Sequence, residues 1–231
     1  MIVDTCVIPC AGLGTRLRPL SLAVPKELLP WGRRPLIEHL WNEMWEAGVR
    51  KFVIVLRPGK EILRRHLEVA GLQACYVEQA EPRGQADALR CAREVVDGPF
   101  VMGLPDQQLA TGTSQLLAHY RGQHSLSSMV EVQRPEFFPG AAAFEYEGDG
   151  PRYRMLGIGH EEGPIRGFGR TVYRREFLDT IPEGTDDTSF GGIFLDWLKN
   201  GRHEAVLLKG RAADLGTLDA YVHYQKTPPT G

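Results

Sequence analysis

The sequence predicts an α/β fold, a single domain on a mixed, mostly parallel sheet flanked by helices. Three observations carry this. Strand-sized apolar runs and runs of helical period alternate through four successive β-α units in the first half. The second half mixes strand and helix less regularly, as a meander grafted on that sheet would. No change of composition marks a linker or a second domain. Parallel strands need crossover helices, so the repeated β-α order is the informative feature.

Taken in order, Ile2 to Pro9 is β-branched and apolar and runs into a glycine-rich turn, the pattern of a first strand. Leu36 to Ala47 places Leu36, Leu40, Met44 and Ala47 on one helical face, with Gly48 as the stop. Lys51 to Leu56 is a strand, Lys60 to Ala70 a helix ending at Gly71, and Ala74 to Glu78 a strand. Gln85 to Val96 turns Ala88, Leu89, Ala92 and Val96 inward as a helix, and Pro99 to Leu104 is the next strand. Beyond it, Ser114 to Arg121 reads as helix, and Ser127 to Val132, Ala141 to Tyr146 and Arg166 to Tyr173 as strands. Phe190 to Leu198 (helix), Glu204 to Leu208 (strand) and Leu218 to Gln225 (helix) complete the chain. The expected organisation is one domain over 1–231, a first half (about 1–110) of regular β-α units and a second (about 111–231) that completes the sheet.

The composition narrows the function classes. In 231 residues, 27 Lys and Arg against 29 Asp and Glu leave a net charge of −2, which excludes a broadly basic nucleic-acid binder. No apolar run is long enough to span a bilayer, and the start lacks a secretory pattern, so no membrane partner is expected. Cys6, Cys10, Cys75 and Cys91 form no CxxC pair and are expected as buried thiols in a reducing cytoplasm. The 7 histidines show no zinc-binding spacing. Trp41 and Trp45 are expected to pack or to meet another copy, and a homo-oligomer is left open. Arg64, Arg65 and His66 read as an exposed helix face, and Asp186 and Asp187 as a solvated turn.

The chemistry concentrates in IPCAGLGTRLRPLSLAVPKELLP, residues 8–30. Gly12 and Gly14 let the backbone turn sharply after the strand and approach a ligand, and consecutive N–H groups in such a turn form an anion nest. Thr15 adds a hydroxyl, and Arg16 a permanent forked cation suited to phosphate. Lys26, on a stiff segment after Pro25, is expected to hold its ammonium in place. The P-loop pattern is absent, and Leu17 stands where the dinucleotide fingerprint needs glycine.

GxGTR followed by PKELLP resembles the N-terminal signature of the sugar-1-phosphate nucleotidyltransferases. It is most similar to bacterial glucose-1-phosphate uridylyltransferases (UDP-glucose pyrophosphorylases), then to the thymidylyltransferases. Later stretches agree in order: PLIEHLWNEMWEAG from Pro35, QAEPRG from Gln79, LPD from Leu104, FGRTVY from Phe168 and DLGT from Asp214. The resemblance implies a nucleotide-diphosphosugar-transferase fold. It also implies a reaction of UTP or dTTP with a sugar 1-phosphate to give an NDP-sugar and pyrophosphate. The implied roles follow residue by residue. The backbone of Ala11, Gly12, Leu13, Gly14 and Thr15 would cradle the triphosphate. Arg16 would neutralise the departing pyrophosphate, and Lys26 would reach the α-phosphate or the attacking phosphate. Gln79 and Gly84 would meet a pyrimidine base. Asp106 and Asp214 would share Mg2+, which favours oxygen ligands and follows strand ends here. Gly140 and Glu161 would meet the acceptor. A plain turn residue at Asp106, a helix cap at Asp214 and a polar loop at Gln79 remain the competing readings.

One departure stands out. Glu162 occupies the place of the family lysine that holds the sugar phosphate. Reversing a unit charge roughly 4 Å from a dianion, at an effective dielectric near 20, is worth several kcal/mol. Arg152, Arg154 or Arg166 would have to compensate. Transfer to a non-sugar phosphate or phosphonate, as by a cytidylyltransferase, and a non-catalytic nucleotide-binding domain are therefore the alternatives.

Overall fold

The computed structural model describes residues 2–138, 143–148, 150, 152–159, 164–186, 190–199 and 201–226. The chain begins with β1 (Thr5–Pro9), a short helix α1 (Leu20–Ala23) and the two-residue strands β2 (Pro30–Trp31) and β3 (Arg34–Pro35). The alternation read from the sequence follows: α2 (Leu36–Glu46), β4 (Lys51–Leu56), α3 (Glu61–Val69), β5 (Cys75–Glu78), α4 (Gln85–Cys91) and β6 (Phe100–Gly103). Then come β7 (Gln107–Gln108), α5 (Gly112–His119), β8 (Ser125–Glu131), β9 (Ala143–Glu147), β10 (Arg152–Gly159) and β11 (Ile165–Tyr173). The chain closes through α6 (Phe190–Leu198), β12 (His203–Leu208), β13 (Ala213–Asp214) and α7 (Leu218–Tyr224).

Among the described residues, nine strands form one sheet in the order β5-β4-β1-β6-β11-β8-β12-β10-β9. β5, β4, β1 and β6 are mutually parallel, as are β8 and β12. β11 runs against both β6 and β8, and β10 against both β12 and β9. All but those two strands therefore point one way, and β11 from the second half is inserted between strands of the first parallel block and β8. The predicted class, a mixed and mostly parallel sheet under helices, is the class observed.

Strand period explains the layers. Cys6, Ile8, Phe52, Ile54, Leu56 and Val101 face one core with Ile37, Leu40, Trp41 and Met44 of α2 and Leu63 and Leu67 of α3. The alternate residues Val7, Val53, Val55, Phe100 and Met102 face a second core with Ala86, Ala88 and Leu89 of α4, Phe177, and Phe194 and Trp197 of α6. A third cluster joins Leu17, Leu29, Trp31 and Leu36 to Leu215, Ala220, Tyr221 and Tyr224. It is pinned by Trp31 Nε1 donating to the Tyr224 carbonyl (3.0 Å) and Tyr221 Oη to the Pro30 carbonyl (2.6 Å). The C-terminal helix is thereby fastened beside the first turn.

Several boundaries differ from the sequence reading. β1 starts at Thr5, where pairing with Lys51 begins, and Ile2 is exposed. α4 stops at Cys91, short of Val96. β10 was not expected as a strand, since its RYR start and its glycines hide the alternation. All four cysteines are free, but only Cys6 and Cys10 are buried. Cys75 is exposed because β5 is the edge strand, which corrects the expectation of buried thiols throughout. Trp41 packs inside, stacked on Phe52 at 3.6 Å, whereas Trp45 is half exposed with Arg50 over its ring at 4.3 Å. Among the described residues no helix is long and apolar enough to cross a membrane. Asp187 lies outside the described residues.

Candidate active site

A cavity of about 410 Å3 opens at the carboxyl ends of the parallel strands, where ligands bind in open α/β sheets. Its wall takes Ala11, Gly12, Leu13, Thr15 and Arg16 from the turn after β1, and Lys26 from the next segment. Gln79 and Gly84 enter after β5, Asp106 after β6, and Asp214 from β13. Ten of the residues singled out in the sequence thus share one cavity. Gly140 and Glu161 lie outside the described residues.

The two glycines of the first turn do different things. Gly14 has φ of +65°, and a Cβ there would stand 3.2 Å from Ser21 Cβ. Its carbonyl accepts from Ser21 Oγ (2.7 Å) and from the Leu17 N–H (2.9 Å), which closes the turn. Gly14 is therefore demanded by the backbone itself. A Cβ on Gly12 would meet nothing within 4 Å. Glycine at 12 leaves open space on the cavity wall, where a side chain would otherwise project.

Asp106, Asp214 and Lys26 form the charged floor. Lys26 Nζ donates to Asp106 Oδ2 at 2.6 Å. Asp214 accepts from the Gly216 N–H at Oδ1 (2.8 Å) and from Gln107 Nε2 at Oδ2 (2.9 Å). A Cβ on Gly216 would lie 2.9 Å from Asp214 Oδ1, 3.0 Å from Asp106 Oδ2 and 3.3 Å from an Arg16 guanidinium nitrogen. Gly216 is thus the gap in which two carboxylates and a guanidinium converge. Burial raises the Asp214 carboxyl, and the Asp106 charge raises it further, to about 6. Burial also works to raise Asp106, but its Lys26 partner and Arg16 outweigh that and hold it below the usual carboxylate range. Burial works to lower Lys26, yet Asp106 and Glu27 outweigh it and hold the ammonium charged.

Gln79 is buried, and its amide nitrogen donates to the Gly84 carbonyl (3.0 Å) and to Asp87 Oδ2 (2.8 Å). Gly84 has φ of +106°, a conformation only glycine adopts without strain.

A family model described as nucleotidyl transferase matches residues 5–141, more than half of the chain. The chain belongs to the nucleotidyl transferase family. It is similar to the UTP–glucose-1-phosphate uridylyltransferase of Klebsiella pneumoniae, with 31% identity over 278 aligned positions that cover 94% of this chain and 91% of that protein. The protein of the same name from Bacillus subtilis (strain 168) is 30% identical over 211 positions, covering 79% of this chain and 66% of that one. A solved structure of UDP-glucose pyrophosphorylase complexed with UDP-glucose superposes with a TM-score of 0.84 at 21% identity, covering 97% of this chain and 98% of that one. The fold is what that last likeness shows.

In this member of the family, several buried residues that support the site were not legible as such in the sequence. Lys60 reads only as the start of a helix. In the structure its ammonium is buried and donates to both Glu27 carboxylate oxygens (2.9 and 2.8 Å) and to the Cys10 carbonyl (2.5 Å). It ties the first turn to the Lys26 segment. Arg170 is fully buried and pairs with Glu43 at 2.6 Å. It also donates to the Leu104 and Gln107 carbonyls (3.2 and 2.8 Å), gripping both ends of the turn that carries Asp106. Gln107 bridges that turn to β11 and β13: the Gly169 N–H donates to its Oε1, and its Nε2 donates to Asp214. Spacing gives no signal for such contacts, because the partners lie on different elements.

Other expectations are settled by position. Thr217 caps α7, its hydroxyl accepting from the Ala220 N–H at 3.4 Å, so Asp214 is not that cap. Arg152 and Arg154 sit on β10, near Glu204 and Glu147, and Arg166 is buried at the start of β11. None of the three lines the cavity. Arg64 pairs with Glu68 at the surface, and His66 lies 2.8 Å from Glu38.

Proposed function

We propose that the protein is a Mg2+-dependent transferase that joins UTP or dTTP to a sugar 1-phosphate, giving an NDP-sugar and pyrophosphate. The observation that carries this is the convergence of Asp106 and Asp214 across Gly216, beside Lys26 and Arg16, in the cavity walled by the first glycine turn. The names of the similar proteins support the choice of nucleotide and acceptor.

The acceptor phosphate oxygen forms a bond to the α-phosphorus as the bond to the bridging oxygen of the β-phosphate breaks, and pyrophosphate leaves. No enzyme nucleophile is needed, so alignment and charge stabilisation carry the rate. The N–H groups of the first turn and the Arg16 guanidinium are suited to triphosphate oxygens. Lys26 spends one donor on Asp106 and has two more for phosphate oxygens. The donor set fits a hard cation: two carboxylates, all oxygen, with no cluster of three or more metal-ligating side chains among the described residues. Mg2+ is commonly held by one or two carboxylates plus water and substrate phosphates. Asp106 and Asp214 would hold it, and when bound it supplies positive charge to the phosphate oxygens. Gln79 and Gly84 form the base-facing wall, and Gly140 and Glu161 are proposed to meet the acceptor.

The test is Mg2+-dependent pyrophosphate release from UTP, dTTP, CTP, ATP and GTP, each with a panel of sugar 1-phosphates, with Asp106→Asn as control. Release with UTP or dTTP and a sugar 1-phosphate, lost in the control, supports the proposal. Release only with phosphorylated alcohols or phosphonates would replace the acceptor. Nucleotide binding without release from any pair would mark a non-catalytic nucleotide-binding domain.

A further inference from the structure

We infer that Asp87, which does not line the cavity, acts together with the Gly84 carbonyl to fix the polarity of Gln79 and so to select the base. This rests on Gln79 facing the base, as proposed above. A glutamine amide can present either its oxygen or its NH2 group to a ligand, and its neighbours decide which. Here the neighbours leave no choice. The NH2 group meets the Gly84 carbonyl at 3.0 Å and the Asp87 carboxylate at 2.8 Å, and both are acceptors without a proton to give. Turning the amide over would set its oxygen against both of them at once. The two N–H bonds are therefore spent on the protein. Among the described residues Oε1 receives no hydrogen bond, and it is not sealed off from the surface.

Asp87 is itself held in place. It is 5% exposed on α4, and Arg90 Nε donates to its Oδ1 at 3.2 Å, which turns Oδ2 toward Gln79. The site thus offers the base a fixed acceptor. Uracil and thymine carry an N–H at N3 that this oxygen can accept. Cytosine carries a lone pair at N3, so its ring nitrogen would face Oε1 acceptor to acceptor. Asp87 is accordingly a positioning residue that favours uracil and thymine over cytosine.

The decisive contrast is between Asp87→Asn and Asp87→Ala. In the Asn variant, Arg90 keeps the side-chain oxygen, so the new NH2 group faces the Gln79 NH2 group, donor to donor, and favours turning that amide over against the hold of the Gly84 carbonyl. Gln79 then presents its NH2 group to the base. In the Ala variant, the Gly84 carbonyl still holds the NH2 group, and the polarity survives. Binding of UTP and CTP would be measured by calorimetry with Mg2+ for wild type and both variants, with pyrophosphate release measured alongside. The expected result is a UTP-to-CTP affinity ratio that falls about tenfold or more in Asp87→Asn and stays near wild type in Asp87→Ala. A purely structural role for Asp87 predicts the reverse, with Ala the more damaging change or both alike. An unchanged ratio in Asp87→Asn, or a wild type that fails to prefer UTP, would overturn the inference. A wild type that shows the binding ratio but releases no pyrophosphate would leave the inference standing and remove the proposed activity.

Discussion

Replacing Asp214 by Asn is expected to stabilise the fold at pH 8 while ending the Mg2+-dependent transfer proposed above. Burial and the nearby Asp106 charge raise Asp214 from 3.8 to about 6. Two pKa units correspond to about 3 kcal/mol. The sign follows from linkage: with the folded pKa above the unfolded one, the folded state holds the extra proton between about pH 4 and 6. The stability this confers is complete below the unfolded pKa and is lost as pH rises through 6. At pH 8 the ionised carboxylate is therefore a burden of about 3 kcal/mol that Asn does not carry. Asn has a cost of its own. The Gly216 N–H and the Gln107 amide both donate to Asp214, and Asn can accept only one of them with its oxygen, which costs about 1 kcal/mol or somewhat more. The net gain is about 1–2 kcal/mol, or a Tm higher by about 2–8 °C for a chain of this size. Thermal melts from pH 8 down to pH 4.5 would show the gain shrinking as wild-type Asp214 takes up its proton. A variant less stable than wild type at pH 8, or a difference constant across the range, would show that the ionised Asp214 carboxylate does not destabilise the fold.

Lys60→Met leaves the Glu27 carboxylate buried without its hydrogen-bonded cation, a loss of about 3–5 kcal/mol. Adding Glu27→Gln to it should recover part of the lost Tm in thermal melts. Arg170→Met removes the cation paired with Glu43 and frees both ends of the Asp106 turn, so kcat and stability should fall together, the stability by about 3–5 kcal/mol in denaturant titrations. Gly216→Ala inserts a Cβ 2.9 Å from Asp214 Oδ1 and 3.0 Å from Asp106 Oδ2, so both carboxylates must shift. Since φ there is not positive, the backbone should tolerate the change: kcat is expected to fall about tenfold or more with a near-normal melt.

Local features were legible in the sequence for local reasons. The strands and helices of the first half follow from apolar period, and Gly12, Gly14, Arg16 and Lys26 stand close together in the chain. Asp106 was legible because it directly follows a strand, and strand ends in such sheets face ligands. Asp214 and Gln79 rested more on the resemblance of short motifs, since a lone polar residue after a strand has no distinctive pattern. The β10 strand was missed because its Arg and Gly residues conceal its alternation.

The alternating α/β architecture, the glycine turn and the set of charged residues available to it are written in the order of residues alone. These depend on period and on neighbours in the chain. Which of those charges meet depends on how the elements pack. That packing set β11 between β6 and β8, folded α7 back onto the first segment and so brought Asp214 to Asp106. It also sank Lys60, Arg170 and Asp87 into the interior, where each has its acceptors or donors within hydrogen-bonding distance. A buried charge is stable only with a partner, and that partner comes from whichever element packs against it. Sequence separation does not constrain that choice, so the residues that hold and tune the site emerge only once the chain is folded.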